Sequence, residues 1–159
     1  MMGRSKSIEL IARGVCVEGG GMLLCHSKGA SNTFLPGGHV EWEESARAAL
    51  EREIEEELGL DAEAGRFLGV VEHKFLQGKN EKAHHEINLV FSLEIPGIDP
   101  REAPESCESP LEFFWTRLSE LPDSQLEPWP LRDLIPKWLD VEGAEGWGST
   151  FRNAKRETG

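Results

Sequence analysis

Gly38-His39-Val40-Glu41-Trp42-Glu43-Glu44, followed after seven residues by Arg52-Glu53-Ile54-Glu55-Glu56-Glu57-Leu58-Gly59-Leu60, is the stretch that organises this chain. Between the two halves lie Ala46, Arg47, Ala48, Ala49, Leu50 and Glu51, good helix formers with neither Gly nor Pro among them, so a helix is predicted over Ser45 to Leu58. With Glu53 at zero on a wheel of 100° per residue, Glu56 falls at about −60° and Glu57 at about +40°, a carboxylate face roughly one side chain wide. Leu50, Ile54 and Leu58 fall at about +60°, +100° and +140°, an apolar stripe beside that face. The helix can dock by its stripe and still present its glutamates.

Most acidic runs are solvated helix faces. That reading fits poorly here, because Glu43 to Glu57 holds seven glutamates against only Arg47 and Arg52. Like charges at i,i+3 and i,i+4 destabilise a helix unless something neutralises them, and Arg52, within reach of Glu56, is a single counter-charge. A divalent cation with oxygen preference, Mg²⁺ or Mn²⁺, accounts for carboxylates that are concentrated rather than alternated with lysines. Gly59 supplies a residue tolerant of the left-handed conformation just past the last carboxylate. Glu53 and Glu57, one turn apart, are the first candidates for direct metal ligands and Glu56 is the third. Glu44 can meet the same face from the start of the helix or pair with Arg52. Gly38 is expected to be structural, since a loop wrapping a helix start so closely needs positive φ or no side chain.

The pattern Gly, five residues, Glu, seven residues, Arg-Glu-apolar-any-Glu-Glu-any-Gly-apolar resembles the signature of the Nudix hydrolases. Gly38, Glu44, Arg52, Glu53, Ile54, Glu56, Glu57, Gly59 and Leu60 match it without a departure, and Leu35-Pro36-Gly37 is similar to the family's lead-in. The resemblance implies an α/β fold, an alpha-beta-alpha sandwich around a mixed sheet. It implies Mg²⁺- or Mn²⁺-dependent cleavage of a phosphoanhydride bond in a nucleoside diphosphate derivative, with Arg52 orienting a box glutamate. In similar enzymes the general base is a box glutamate or a carboxylate outside the box. The outside candidates are Glu86, Glu72, Glu105 and Glu108, with Glu86 favoured for its place on the non-core face of a strand.

A chain of 159 residues suits one domain with a real core, set at residues 1–142, with a loose tail over residues 143–159. The net charge of −12 argues against duplex nucleic acid and anionic membranes as partners. A small phosphorylated substrate remains compatible, because bound metal supplies positive charge locally. A homodimer is compatible too. Cys16, Cys25 and Cys107 have no CxxC pair and no zinc spacing, which suits reduced thiols. No apolar run approaches a membrane span and the first residues lack an apolar secretory segment, so a cytoplasmic location is expected.

Ile8 to Val17 is predicted to be a strand, returning through Gly19-Gly20-Gly21 as Met22 to His26 in a hairpin. His39 to Trp42 is read as a short strand, and Arg66 to Phe75 and His84 to Ile95 as two long ones. In the last, Ile87, Leu89, Phe91, Leu93 and Ile95 point one way while His84, Glu86, Asn88, Ser92 and Glu94 point the other. An acidic loop from Pro96 to Pro110 precedes a strand over Leu111 to Thr116. A second helix over Leu131 to Asp140 is expected to kink or break at Pro136.

His84-His85-Glu86 has a metal-like composition but not the HExxH spacing on a helix, which disfavours zinc. Trp42, Trp115, Trp129 and Trp147, with Phe34 and Phe75, are more often core or rim than base-stacking platforms. Lys28 and Arg13 are weak candidates for phosphate contact. The subfamily marks of ADP-ribose, NADH and coenzyme A enzymes are missing, which leaves nucleotide sugars, nucleoside triphosphates and dinucleoside polyphosphates open. Two other classes stay in view: a non-catalytic nucleotide sensor or scaffold, which would be expected to have lost box glutamates, and an isomerase acting on an allylic diphosphate, for which Cys16, Cys25 and Cys107 show no suitable placement.

Overall fold

The computed structural model describes residues 6–151 apart from residues 142, 144 and 145. The chain runs β1 (Glu9–Val15), β2 (Val17–Glu18), β3 (Gly21–Ser27), β4 (Gly37–His39), α1 (Ala46–Leu58), β5 (Glu63–Gln77), β6 (Lys82–Glu94), β7 (Leu111–Arg117), a 3₁₀ turn (Leu118–Asp123), α2 (Leu131–Asp140) and β8 (Trp147–Ser149). Five strands form a mixed sheet in the order β4-β1-β6-β5-β8, with β1/β6 and β5/β8 parallel. A smaller antiparallel sheet takes the order β2-β3-β7.

The expected hairpin is confined to β2 and β3, turning at Gly19 and Gly20, both at positive φ. The strand read from Ile8 to Val17 is divided at Cys16, whose carbonyl accepts from the Leu23 N–H. Before the break β1 lies between β4 and β6; after it β2 joins the other sheet. Local turn chemistry could signal the hairpin that carries β2, but the place of β1 in the larger sheet depends on its distant partner β6.

Helix α1 starts as its sequence demands. The Ser45 hydroxyl accepts from the Ala48 N–H at 3.1 Å, and Gly59 at φ 67° ends the helix, its N–H donating to the Glu55 carbonyl. Leu50, Ile54 and Leu58 are buried against Ala12, Phe91 and Leu93 of the large sheet and Leu23, Cys25 and Phe113 of the small one. On the other side Leu131, Ile135 and Trp138 of α2 cover Val71 and Val90. The larger sheet is therefore buried on both faces at its centre. For this reason Asn88, expected on an outward face, is fully buried; its Nδ2 donates to the Val71 carbonyl at 3.3 Å.

Helix α2 spans the predicted residues and continues through Pro136, the Val141 N–H still donating to the Lys137 carbonyl, so no break forms there. The expectation of looseness from Gly143 onward fails at Trp147–Ser149, which pairs in parallel with Val70–Glu72. Residues 152–159 of that tail lie outside the described residues.

Candidate active site

The loop from β4 into α1 folds back over the helix, and Arg52 holds it there. Its Nε and Nη2 donate to the two Glu44 oxygens at 2.7 and 2.9 Å, a bidentate pair, and Nη2 also donates to the His39 carbonyl at 3.0 Å. Nη1 donates to Glu53 at 3.1 Å and to both Glu56 oxygens at 3.3 Å. The Arg52 hydrogen bonds hold the Glu44 carboxyl down at about 2. In return Glu44 first, then Glu53 and Glu56, hold the guanidinium charged. Both Glu44 oxygens accept from Arg52, the pairing that was one of its two sequence readings.

Gly38 is needed for space. A Cβ there would overlap the Glu53 carboxyl, within 2.6 Å of both its oxygens. Its neighbour Gly37 carries the positive φ, 142°, and a Cβ on it would strike the Ala12 carbonyl oxygen of β1. The loop thus lies directly on Glu53, and the backbone of β4 lies directly on β1.

Glu57 lies inside the protein, with only 6% of its surface exposed. Burial first, then the charge of Glu53, push its carboxyl up to about 8, against a smaller opposing effect of Arg13. Burial also raises Glu53, with Arg52 opposing. The two carboxyls are in direct contact, and Glu57 Oε2 is buried without a hydrogen-bond partner. A buried, unpartnered carboxylate oxygen beside a second carboxylate is costly without a cation and well suited to one, and an all-oxygen donor set suits Mg²⁺ or Mn²⁺. Glu56, the third candidate, is held by Arg52, and among the described residues no three His, Cys, Asp or Glu side chains stand preassembled around one point.

Two further charges act on this pair. Glu108 raises both Glu53 and Glu57, and its loop is fastened to α1 by the Cys107 N–H donating to the Glu57 carbonyl at 2.7 Å. A groove of about 650 Å³ runs along this loop and includes Lys28. Arg13 of β1 donates to the Leu35 carbonyl at 2.9 Å and lies over the Phe34 ring. Arg13 drew little weight from sequence; its signal was a lone cation inside the apolar run Leu10-Ile11-Ala12-Arg13-Gly14-Val15.

The favoured outside base, Glu86, lies on β6 opposite Glu9 and His73 and is not among the leading charges that shift Glu53 or Glu57. Strand alternation put it on an outward face but could not say that the box helix meets another part of the sheet. Glu72 accepts from the Ser149 hydroxyl at 2.7 Å and serves the β5–β8 edge, and Glu105 is exposed. His84 stacks on Phe75 and faces Glu9, while His85 packs on Phe151. Trp115 packs against the core and donates to the Glu102 carbonyl; Trp42, on the box loop, is 88% exposed.

The NUDIX domain family model matches residues 9–138, most of the chain. This chain belongs to the Nudix family. Among its relatives, a probable DHNTP pyrophosphohydrolase of Lactococcus lactis is 36% identical over 93 residues, 57% of this chain and 52% of that protein. The chain thus spans about half the length of this relative. An isopentenyl-diphosphate Delta-isomerase of Rhodobacter capsulatus is 28% identical over 144 residues, 86% of this chain and 78% of that protein. The crystal structure of a MutT NUDIX hydrolase from Burkholderia pseudomallei superimposes with a TM-score of 0.64 at 27% identity, covering 82% of this chain and 99% of that one. The mixed sheet between two helices is accordingly the Nudix fold.

Proposed function

We propose that this protein is a divalent-cation-dependent pyrophosphohydrolase acting on a nucleoside diphosphate derivative such as a nucleotide sugar or a nucleoside triphosphate. The observation that carries this reading is the buried Glu57, with its unpartnered oxygen, in contact with the half-buried Glu53. Glu53 and Glu57 would hold Mg²⁺ or Mn²⁺, and Glu56 is the third donor once it leaves Arg52. Bound there, the cation supplies charge neutralisation on the phosphate oxygens. Arg52 positions the loop and Glu53 together, and Glu44 fixes Arg52. Glu108, brought to the pair by its fastened loop, takes the role of carboxylate outside the box in place of Glu86, accepting the proton of the attacking water. Lys28 lines the groove beside it, where a substrate phosphate would find a counter-charge.

The relative named as an isomerase keeps a second chemistry in view. Against it, Cys16 and Cys25 are buried, and burial holds the Cys16 thiol up at about 11 and raises Cys25 further, which suits packing rather than acid–base work. Against the sensor reading stands the complete set of box carboxylates. A turnover screen across nucleoside diphosphate derivatives and isopentenyl diphosphate, with Mg²⁺ and with Mn²⁺, separates the three. Release of nucleotide or phosphate that disappears in Glu57→Gln supports hydrolysis. Cation-dependent binding without release, or isomerisation alone, overturns it.

A further inference from the structure

A second concave surface lies apart from the box glutamates, where the start of β1 meets the end of the β5–β6 hairpin, and encloses about 580 Å³. Lys6, Lys74 and Lys82 line it, three of the seven lysines in a chain of net charge −12. None of the three has an ion-pair partner among the described residues. The one carboxylate lining the groove, Glu9, is engaged already: His39 Nε2 lies 3.1 Å from one of its oxygens and His84 Nδ1 3.5 Å from the other. Its single negative charge offsets at most one of the three ammonium groups.

Exposed lysines on a hairpin are ordinarily solvated charges. Here they stand over an apolar surface that water does not favour. Ile8 is 61% exposed, and Phe151 packs edge-on against His85 with ring centroids 4.9 Å apart. The pairing of an aromatic wall with an excess of ammonium groups over carboxylate in one groove matches a ligand with a flat ring and a phosphate. The box cannot take such a ligand alone, because its own carboxylates repel an anion until a cation is bound.

We infer that this groove is a second binding site, taking a small organic phosphate with a planar ring, of the nucleoside monophosphate class, without a divalent cation. Lys6, Lys74 and Lys82 meet the phosphate, and His85 and Phe151 meet the ring.

The test titrates adenosine 5′-monophosphate into the full chain in EDTA and follows the His84 and His85 ring resonances by NMR. Saturable shifts are expected, weakening as salt rises. The double variant Lys74→Ala/Lys82→Ala should raise Kd about tenfold or more. Phe151→Ala should weaken adenosine 5′-monophosphate while leaving inorganic phosphate unchanged, and Glu57→Gln should alter neither. Absence of saturable shifts in the wild type, or an unchanged Kd in the lysine variant, overturns the site. Equal binding of inorganic phosphate and the nucleotide overturns the ring contact. These readouts involve neither cation nor turnover, so they stand or fall independently of the proposed hydrolysis.

Discussion

Glu57 makes the stability of the cation-free protein depend on pH in an unusual direction. Its carboxyl sits at about 8 in the folded chain against an ordinary 4.5, so between these values the folded state keeps a proton that the unfolded state has released. Stability therefore falls as pH rises from 4.5 to about 8 and levels off above it. At 1.36 kcal/mol per unit the interval corresponds to a loss of up to about 5 kcal/mol, or roughly 10–20 °C in Tm for a domain of this size. His73 works in the opposite sense: burial lowers it from 6.5 to about 4, so it destabilises the fold as pH falls through that window. The Glu57 contribution is thus read as the difference between the wild type and Glu57→Gln, which keeps the shape of the side chain and removes its ionisation. Urea unfolding in EDTA at pH 5, 6, 7 and 8 should show the wild type losing stability relative to the variant at each step. Saturating Mg²⁺ at pH 8 should restore the wild type and leave the variant unmoved, since a ligand of the folded state stabilises only where it binds. Parallel pH curves for the two proteins, or equal stabilisation of both by Mg²⁺, would refute the reasoning.

Gly38→Ala drives a methyl group into the Glu53 carboxyl, so a loss of about 1–3 kcal/mol in thermal or urea unfolding is expected, with Mg²⁺-dependent turnover reduced well beyond that of a surface alanine control. Arg52→Lys keeps the charge but cannot make the bidentate pair with Glu44; urea unfolding should register a loss of about 1–3 kcal/mol, and full retention of stability would show that charge alone suffices. Glu108→Gln should lower kcat by about 10²–10⁴ with the preferred substrate, while Glu86→Gln changes it less than threefold; the reverse order in steady-state assays would return the base to β6.

The sequence carried the parts of this site that are local. A helical wheel separated Leu50, Ile54 and Leu58 from the glutamates, and the structure buries the three and binds the cap residues Ser45 and Gly59 as helix chemistry requires. The need for Gly38 was legible too, although only packing shows that volume rather than φ decides it. What stayed hidden depends on long-range placement. The place of β1 in the larger sheet is set by β6, some seventy to eighty residues away, whereas β2 pairs with its hairpin partner β3, which β7 joins from about ninety residues further on. Asn88 is buried because α2 covers the second face of β6, which alternation along β6 alone cannot reveal. Glu108 came within range of Glu53 and Glu57 through one backbone hydrogen bond, Cys107 to Glu57, that leaves no mark in composition.

Arg52 touches Glu44, Glu53, Glu56 and the His39 carbonyl at once, and this bears on how the site can change over generations. Effects on residues sharing one partner do not add, so the order of substitution matters. Losing the arginine first strips several acids of their counter-charge in one step, after which each further loss of a glutamate relieves repulsion. Losing a glutamate first leaves the arginine with other partners and a milder defect. A descendant that abandons this chemistry therefore has an easier road through its carboxylates than through its arginine, and an intact Arg52 is a weaker sign of retained activity than an intact Glu57.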